Sequence, residues 1–578
     1  MSTQKKKPMG MMERAVFIFL LFLALDWSGP IKIGEEIQPL SAVLMGILLL
    51  AMGSILADCF RFLAGILEWF GTHRPTGKDG TAHWARWKDL KSELSRKLQG
   101  PFWGLLGGSK KPLFIDYVSN ALTVAPAGSG KGIYTVIPIL FSIEFSKVIG
   151  DFKGELLCIM KVFLETLGHI VRSLNPGGLW KEIVGEGDSY NPLDIIVDDL
   201  HRPGGLRDVP DDLREMTAQI LPEPAETDGE NTYWREGSRR IMADAILLEV
   251  MVEGYDATLS SVALLIEDRE ALEYNLRWIV GIDIEDNPLP DGPMPIEQAE
   301  WAQKHEPEDV AEFIQLVRAR ATNLLALMGN GESRTFDSFV SGAQQALAPF
   351  AFGRLAPAMR RSTFSMNDLK EGDQPTDLFI VADASRPEVY KNYIGLIQWC
   401  AMTAIKRHPH KSRPVYFIMD EATNYKIHGL ESLLTWGRSY GLRLHLIFQD
   451  LSAFERVYGK TALETLLSET EIKQFLPGQR SPKTLEMISK MLGDQSVMAA
   501  SLSQRDGGVH EQMSETARPL MTPDEIRRSP NGLLLVRRAP PALIEPVSYA
   551  EIHPWRKQAG INPFHGKPFL RKVRLKLR

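Results

Sequence analysis

A run of small residues with a single lysine separates two apolar segments near residue 130. Before it, Leu122–Val124 has the apolar pattern of a buried strand, and the residues after it, up to Leu140, suit a helix. A glycine-rich turn between strand and helix points backbone N–H groups at one spot and binds phosphate, and a lysine there reaches the β- and γ-phosphates. The run therefore predicts a P-loop. Its residues are Ala125, Pro126, Ala127, Gly128, Ser129, Gly130, Lys131 and Gly132.

This run departs from the pattern GxxxxGK[ST] at both ends. Ala125 stands where the first glycine belongs, which costs little if its φ is negative. Gly132 stands where a Ser or Thr hydroxyl would bind Mg²⁺, so one expected ligand is missing. Two alternatives stay open: a glycine-rich turn that binds nothing, and a scaffold that binds nucleotide but hydrolyses little.

Two adjacent carboxylates follow an apolar run much later in the chain. Pro414–Met419 is continuously apolar, as in a central parallel strand buried on both faces, and Asp420 and Glu421 come directly after it. A Walker B strand ends in this way. We predict that Asp420 holds Mg²⁺, directly or through water, and that Glu421 polarises the attacking water. A strand that ends in a solvated acidic turn is the alternative.

Length and cysteine spacing limit the number of domains and indicate the redox compartment of the protein. The chain has 578 residues, a net charge of −6, and three cysteines too far apart for a metal or disulfide pattern. Such cysteines suit buried thiols in a reducing compartment. The length allows about three or four domains.

Two apolar runs near the N-terminus, Ala15–Trp27 and Leu40–Leu56, predict a two-helix membrane hairpin. Lys and Arg precede the first run and follow the second, while the loop between them holds only Lys32, so the positive-inside rule puts both ends of the hairpin in the cytosol. A cleaved signal peptide and an amphipathic surface hairpin are the alternatives. The basic, Trp-containing stretch Ala82–Pro112 then predicts a juxtamembrane connector.

Strand and helix patterns alternate on both sides of a helical middle. Helix spacing dominates Asp198–Lys370, which holds 32 Asp and Glu against 16 Lys and Arg. Asp494–Gly508 is polar and predicts a mobile loop, and the basic stretch Lys567–Arg578 allows an arm, a lipid or nucleic-acid contact, or a solvated tail. Further strands are predicted at Lys147–Asp151, His169–Leu174, Leu378–Ala382, Arg443–Phe448, Ile472–Leu476 and Leu533–Val536.

This constellation resembles the type IV secretion coupling proteins, the TraG/TraD-like members of the FtsK/HerA-type translocase ATPases. The resemblance covers residue 15 to about residue 549. It rests on the two N-terminal runs and the P-loop, together with Ile137-Pro138, Asp151-x-Lys153-Gly154-Glu155, Asn191-Pro192-Leu193-Asp194, Asp420-Glu421, Arg438-Ser439-Tyr440-Gly441, Gln449 and Arg518-Pro519-Leu520 to Glu525.

The resemblance implies a RecA/FtsK-like α/β domain with a mostly parallel sheet, an all-α insertion and a homo-hexameric ring that binds ATP and Mg²⁺. It also implies an arginine finger at Arg438, supplied to the neighbouring subunit, and a γ-phosphate sensor at Gln449. A surface arginine and a strand-end amide are the alternatives for these two residues. The predicted domains are an anchor at 1–72, nucleotide-domain parts at 73–197 and 371–550, an all-α domain at 198–370 and a basic tail at 551–578.

The function so predicted is that of an inner-membrane, multi-pass ATPase with both termini in the cytoplasm, which feeds cargo to a type IV secretion channel. The acidic helical domain should repel nucleic-acid phosphates, which favours effector proteins or adaptors as cargo and the Dot/Icm–IncI (DotL/TrbC) branch. Single-stranded DNA with its relaxase, pumped during conjugation, is the alternative cargo.

Overall fold

The computed structural model describes Phe60, Leu63 and residues 75–95, 100–225, 229–329, 334–408, 413–505, 508–566 and 572–577. The chain divides into two compact units. The first combines Met1–Ala82 with Gly493–Leu520, and the second combines His83–Leu492 with Met521–Arg578. The domain boundaries drawn from the sequence do not coincide with this division, and they stay predictions.

Both predicted membrane runs lie outside the described residues. Among the helices that are described, none combines the length and the apolar character that crossing a bilayer requires. The hairpin therefore stays a prediction.

Strands and helices alternate along the second unit. The strands of the described chain are β1 Phe102–Leu106, β2 Lys111–Phe114, β3 Asn120–Val124, β4 Lys147–Asp151, β5 Ile170–Leu174, β6 Thr376–Val381, β7 Val415–Met419, β8 Leu442–Phe448, β9 Thr470–Phe475, β10 Asp494–Arg505, β11 Gly508–Pro519, β12 Gly532–Val536, β13 Ala542–Glu545, β14 Ile552–His553 and β15 Leu575–Lys576. The strand predictions made from apolar runs are confirmed to within one or two residues at each end.

In the described chain, eleven of these strands form one sheet in the order β2-β1-β13-β12-β9-β3-β8-β7-β4-β6-β5. Every pair from β9 to β5 is parallel, whereas β12, β13, β1 and β2 add an antiparallel edge. Strands β3, β4 and β7 are buried at every residue, so none of them alternates buried with exposed positions. Strand β7 is wholly apolar, whereas β3 and β4 also bury polar residues such as Thr123 and Lys147. The carboxyl ends of the parallel strands meet at a single edge of the sheet.

Helices cover the sheet and fill the long connection between β5 and β6. Their bounds are α1 Trp87–Leu90, α2 Ile137–Ser142, α3 Glu155–Thr166, α4 Lys181–Val184, α5 Asp194–His201, α6 Val209–Ile220, α7 Gly229–Glu253, α8 Leu259–Glu267, α9 Arg269–Val280, α10 Pro307–Gly329, α11 Arg334–Ala351, α12 Leu355–Ala358, α13 Asp368–Glu371, α14 Pro387–Lys406, α15 Leu430–Trp436, α16 Leu451–Tyr458, α17 Lys460–Glu469, α18 Pro482–Leu492, α19 Pro523–Arg528 and α20 Trp555–Gln558.

Two of the sequence interpretations are wrong. The predicted juxtamembrane connector contains β1, whose five residues are all buried in the main sheet, and Lys111 and Pro112 open β2. The predicted mobile loop at Asp494–Gly508 is mostly strand β10, which pairs with β11 over twelve residues in the first unit. In both places, few residues alternate cleanly between polar and apolar, so the strand pattern is weak.

The C-terminal stretch is partly packed rather than wholly solvated. Ile552 and His553 pair in parallel with Leu575 and Lys576. Nearby, the ring of Trp555 stacks on Phe141 at 5.4 Å and is 5% exposed. A tail contact with lipid or nucleic acid stays untested.

Candidate nucleotide-binding site

The predicted P-loop leaves the carboxyl end of the central strand β3. Val124 of β3 is paired with Phe448 of β8 and Phe475 of β9, and the N–H of Ala125 donates to the carbonyl of Phe448 at 2.8 Å. The loop then turns through Gly128 and Gly130, which have φ values of +79° and +75°. L side chains rarely adopt these values, so glycine is required at both positions.

The helix after the loop begins with an irregular turn. Gly132–Val136 forms a single π-helical turn before α2 begins at Ile137. Such turns are rare and concentrate at functional sites. With no side chain at Gly132, the usual hydroxyl ligand is absent at the same point.

The paired acids meet the lysine of the loop. Strand β7 ends at Met419, and Lys131 Nζ lies 2.9 Å from Asp420 Oδ1 and also donates to Glu421 Oε1, which is 290 positions away in sequence. Glu421 has a φ of +53°, a left-handed conformation that costs energy in a residue other than glycine and concentrates at functional sites. The fold thus brings the two predicted halves of the site into direct contact.

Charge at this contact is shielded from solvent. The side chains of Lys131, Asp420 and Glu421 are only 21%, 16% and 20% exposed. Burial acts to lower the pKa of Lys131, but the two carboxylates outweigh it and raise that pKa above its usual value. Burial raises the pKa of Asp420, although Lys131 opposes the shift. In this arrangement the lysine is the counter-cation of both acids.

A third carboxylate lies at the same edge of the sheet. Asp151 ends β4, the neighbour of β7, and accepts hydrogen bonds from the N–H groups of Leu157 at 2.9 Å and Lys153 at 3.3 Å. Burial, with a smaller contribution from Asp420, raises the pKa of Asp151 to about 7. The sequence marked Asp151 only as part of a motif. Its place beside Asp420 follows from the strand order, which the sequence does not show.

Buried polar side chains on the strands next to the loop form hydrogen bonds with one another and with the π-turn. Gln474 Oε1 accepts hydrogen bonds from Thr123 on β3 and Thr135 on the π-turn, each at 3.1 Å. Thr123 Oγ1 also lies 2.8 Å from His445 Nε2 on β8. These bonds tie the helix after the loop to three adjacent strands. Sequence reasoning missed these side chains, and the available signal was a polar residue inside each otherwise apolar strand.

Gln449 lies at the carboxyl edge, while Arg438 does not. Gln449 directly follows β8, next to the strand that leads into the P-loop, and is exposed. Arg438 lies in the 3₁₀ turn Gly437–Tyr440, which precedes β8 and so lies at the opposite edge. Seven strand residues at about 3.3 Å each separate the two edges by roughly 20 Å. The structure therefore does not bring Arg438 to the site of its own chain.

The site has the donor set that a magnesium–triphosphate needs. Within the described residues, Ser129 Oγ and Glu421 Oε2 are buried without a hydrogen-bond partner. Ser129 lies in the loop where phosphate would bind, and Glu421 contacts the loop lysine from the end of β7. No trio of His, Cys, Asp or Glu in the described chain is arranged to hold a metal by itself. Mg²⁺ bound together with substrate phosphates takes only one or two protein carboxylates, and Asp420 is available for that role.

Comparison with known proteins identifies the family. Residues 81–551 match the family described as "Type IV secretory system Conjugative DNA transfer". Protein VirD4 of Agrobacterium fabrum is 24% identical over 497 residues, which cover 81% of this chain and 65% of VirD4. Conjugal transfer protein TraG of Escherichia coli is 25% identical over 439 residues, which cover 71% of this chain and 62% of TraG. The aligned part therefore spans just under two thirds of either relative.

A solved structure shares the fold. The structure titled "Plasmid coupling protein TrwB in complex with ADP and Mg2+" aligns with a TM-score of 0.52 at 17% identity, and covers 81% of this chain and 94% of that chain. This likeness shows an α/β P-loop fold with a large, mostly parallel sheet, as the sequence predicted. Because the family match spans most of the sequence, the chain belongs to the type IV secretory system conjugative DNA transfer family, as a coupling protein of the TraG/TraD type.

Proposed function

We propose that this chain is a Mg²⁺-dependent ATPase that couples nucleotide hydrolysis to delivery of cargo into a type IV secretion channel. The single observation that carries the proposal is the contact of Lys131 with Asp420 and Glu421 at the carboxyl edge of the sheet. The TrwB structure, which shares the fold, holds ADP and Mg²⁺. This supports the same ligands here.

Each residue of the site has a role in this proposal. The N–H groups of the loop from Ala125 to Gly132 and the ammonium of Lys131 would hold the phosphates, and Asp420 would hold Mg²⁺. Bound there, Mg²⁺ would neutralise the charge that develops on the phosphates. Lys131 exchanges its two carboxylate partners for phosphate oxygens. Glu421 then orients the attacking water and accepts its proton.

Arg438 acts in a second copy of the chain. It lies at the edge of the sheet away from its own P-loop, so its guanidinium is available only to another subunit. An arginine supplied in this way stabilises transition-state charge and is worth about 10³–10⁵ in rate. We propose a closed ring, a hexamer, in which Gln449 reads the γ-phosphate from within the subunit. The N-terminal runs anchor the ring in the inner membrane, with both termini in the cytoplasm.

The proposed cargo is protein, captured as effectors or adaptors by the helical segment 198–370. This segment carries twice as many acidic as basic residues, so it repels nucleic-acid backbones. A second candidate is DNA with its relaxase. It is favoured by the family to which the chain belongs and by relatives named for conjugal transfer.

Lys131→Ala tests the motor against the scaffold alternative. We expect the purified full-length variant to lose ATP binding and hydrolysis, and the host cell to lose cargo transfer, because the phosphates lose their cationic partner. Lys161→Ala is the matched control, since this lysine lies on α3 and bonds the carbonyl of Val184 away from the site. Normal transfer by Lys131→Ala would favour the scaffold.

Photo-crosslinking in cells tests the cargo. A crosslinking residue replaces Tyr274 or Phe352, which are 71% and 91% exposed on the helical segment, and Val162 on α3, 62% exposed, serves as the control site. We expect protein adducts at the first two positions that are missing at the third. Recovery of DNA alone would defeat the protein reading and support the second candidate.

A further inference from the structure

Two cationic side chains, the buried Lys370 and the partly buried Arg443, hold the backbone of the turn that carries Arg438. Lys370 Nζ donates to the carbonyl of Tyr440, and Lys370 is only 2% exposed. From the other side, Arg443 Nη1 donates to the carbonyls of Arg438 at 3.2 Å and Leu442 at 2.8 Å. Both cations therefore bind carbonyls of the turn or of the residues that follow it.

The residue after the turn is shaped for the approach of Lys370. Gly441 has a φ of +89°, and its N–H donates to the carbonyl of Arg438 at 3.1 Å. A Cβ at this position would lie 3.0 Å from Lys370 Nζ and 3.3 Å from the carbonyl oxygen of Arg413. Glycine thus satisfies the backbone conformation and leaves room for the ammonium group.

Packing leaves one flank of the turn unsupported. A cavity of about 280 Å³ lies between α14, α15 and the turn, and Trp399, Leu433, Gly437 and Tyr440 are among its lining residues. Trp436, at the entry to the turn, is 66% exposed. Because the turn borders a cavity on this side, its conformation depends more on the hydrogen bonds from Lys370 and Arg443.

Three positively charged side chains lie close together around the turn. Among the described residues, no carboxylate is ion-paired with Lys370, Arg438 or Arg443. Burial and the nearby Arg443 lower the pKa of Lys370, and burial together with Arg438 lowers that of Arg443. Lys370 and Arg443 therefore hold the backbone of the turn, and the third cation, Arg438, is exposed and has no ion-pair partner among the described residues.

We propose that Lys370 is a positioning residue that fixes the turn Gly437–Tyr440, so that Arg438 is presented to an anion on a second copy of this chain. The inference rests on the proposed function, in which that anion is the phosphate bound by the neighbouring subunit. Lys370 binds the carbonyl of Tyr440 at the edge of the sheet opposite the P-loop, so it would contact neither nucleotide nor metal. Its effect passes through the backbone to Arg438.

The test compares Lys370→Met with wild type in the full-length chain. Methionine keeps an unbranched apolar stem but removes the donor. We expect kcat for ATP hydrolysis to fall by about 10-fold or more, with KM for ATP within about 2-fold of wild type, because the P-loop lies at the other edge of the sheet. Lys406→Met is the matched control, since Lys406 lines the same cavity but pairs with Glu215. It should leave kcat unchanged.

Mixed subunits separate positioning from general damage. Lys370→Met subunits keep a working P-loop, and Lys131→Ala subunits keep a working Arg438 turn. We expect a mixture of the two to hydrolyse ATP well above the sum of the separate proteins. Should Lys370→Met fold poorly, Gly441→Ala perturbs the same contact while leaving Lys370 in place, and it should show the same loss of kcat and the same recovery in mixtures.

Two results would overturn the inference. One is a wild-type kcat for Lys370→Met or Gly441→Ala. The other is an equal loss in kcat and affinity that mixing does not restore, which would indicate only a structural role. The variant Arg438→Ala distinguishes failure of the positioning role of Lys370 from failure of the proposed function. If that variant is inactive while Lys370→Met is normal, only the positioning role fails; if Arg438→Ala is fully active, the role of Arg438 in the neighbouring subunit fails.

Discussion

At the scale of single residues, the central feature is a lysine that contacts two carboxylates and offsets part of their charge. Lys131 contacts Asp420 and Glu421, so its single positive charge offsets part of the negative charge that would otherwise repel a triphosphate. Because Lys131 is also the residue expected to bind phosphate, binding must redistribute these charges. The two carboxylates are then released for metal and water.

Glu421→Gln separates binding from chemistry. The amide keeps the size of the side chain but cannot accept a proton, so we expect hydrolysis to fall by about 10²–10⁴-fold while Mg·ATP still binds. Steady-state hydrolysis and equilibrium binding of a fluorescent ATP analogue, measured on the same preparation, check this. Asp450→Asn is a suitable control, because this carboxylate caps α16 through the N–H of Ala453 instead of facing Lys131. Unchanged hydrolysis in Glu421→Gln would remove Glu421 from the mechanism.

The sequence could point to these residues because their signals are local, and their roles in binding and hydrolysis stay predictions. A small-residue run with Lys131, and an apolar strand ending in Asp420, each carry their meaning within about ten positions. The position of Asp151 beside Asp420, and of Arg438 away from both, depends on which strands are neighbours. Strand order arises from long-range packing, so these two relations became visible only in the structure.

At the scale of elements, the central strands are held in register by a buried polar layer beneath the P-loop. His445 of β8 is fully buried, contacts Thr123 at 2.8 Å, and lies 5.3 Å from the ring of Trp103. Because Trp103 is on β1, this cluster also connects the antiparallel edge to the centre of the sheet. The same strand β1 was hidden in the sequence, where its basic and Trp-rich surroundings indicated a connector.

His445 gives the fold a pH dependence with a definite sign. Burial lowers the pKa of His445 to about 3, whereas an unfolded histidine titrates near 6.5. Between these two pH values, His445 binds a proton in the unfolded chain but stays neutral in the folded chain. The free energy of unfolding should therefore fall as pH drops from about 6.5 towards 3. His445→Gln, which cannot titrate, should lose less stability over this range, by up to about 1.4 kcal/mol per pH unit.

Thermal unfolding of both proteins without nucleotide, from pH 7 down to pH 5, checks this. The variant is expected to be less stable at pH 7, because a fitted side chain is lost, but its curve against pH should be flatter. Parallel curves for the two proteins would contradict the account.

At the scale of the whole molecule, Lys131 and Arg438 lie at opposite edges of the sheet, so the proposed mechanism needs a second copy of the chain to complete the nucleotide site. The separation arises from the parallel sheet, because residues before and after a strand lie at opposite edges and cannot contact the same ligand. The sequence predicted the α/β class because short strand patterns alternate along it with helix patterns. It could not predict that β10 and β11 form a separate hairpin within residues 493–520, because their pattern is mostly polar.

The proposed membrane topology is testable without a structure of the N-terminal runs. We expect alkaline phosphatase to be active when inserted between residues 28 and 39, and inactive when fused to either terminus, because the cationic flanks of the runs favour the cytosol. Green fluorescent protein fusions at the same sites should show the opposite pattern. Active phosphatase at either terminus would contradict the proposed orientation.

The most direct test of the central claim is a structure of the full-length chain with Mg²⁺ and a non-hydrolysable ATP analogue. The account predicts phosphate oxygens against the N–H groups of Ala127–Lys131, and one Mg²⁺ bound by Asp420 directly or through a water molecule. Nucleotide bound away from this turn, or Mg²⁺ without any link to Asp420, would contradict it.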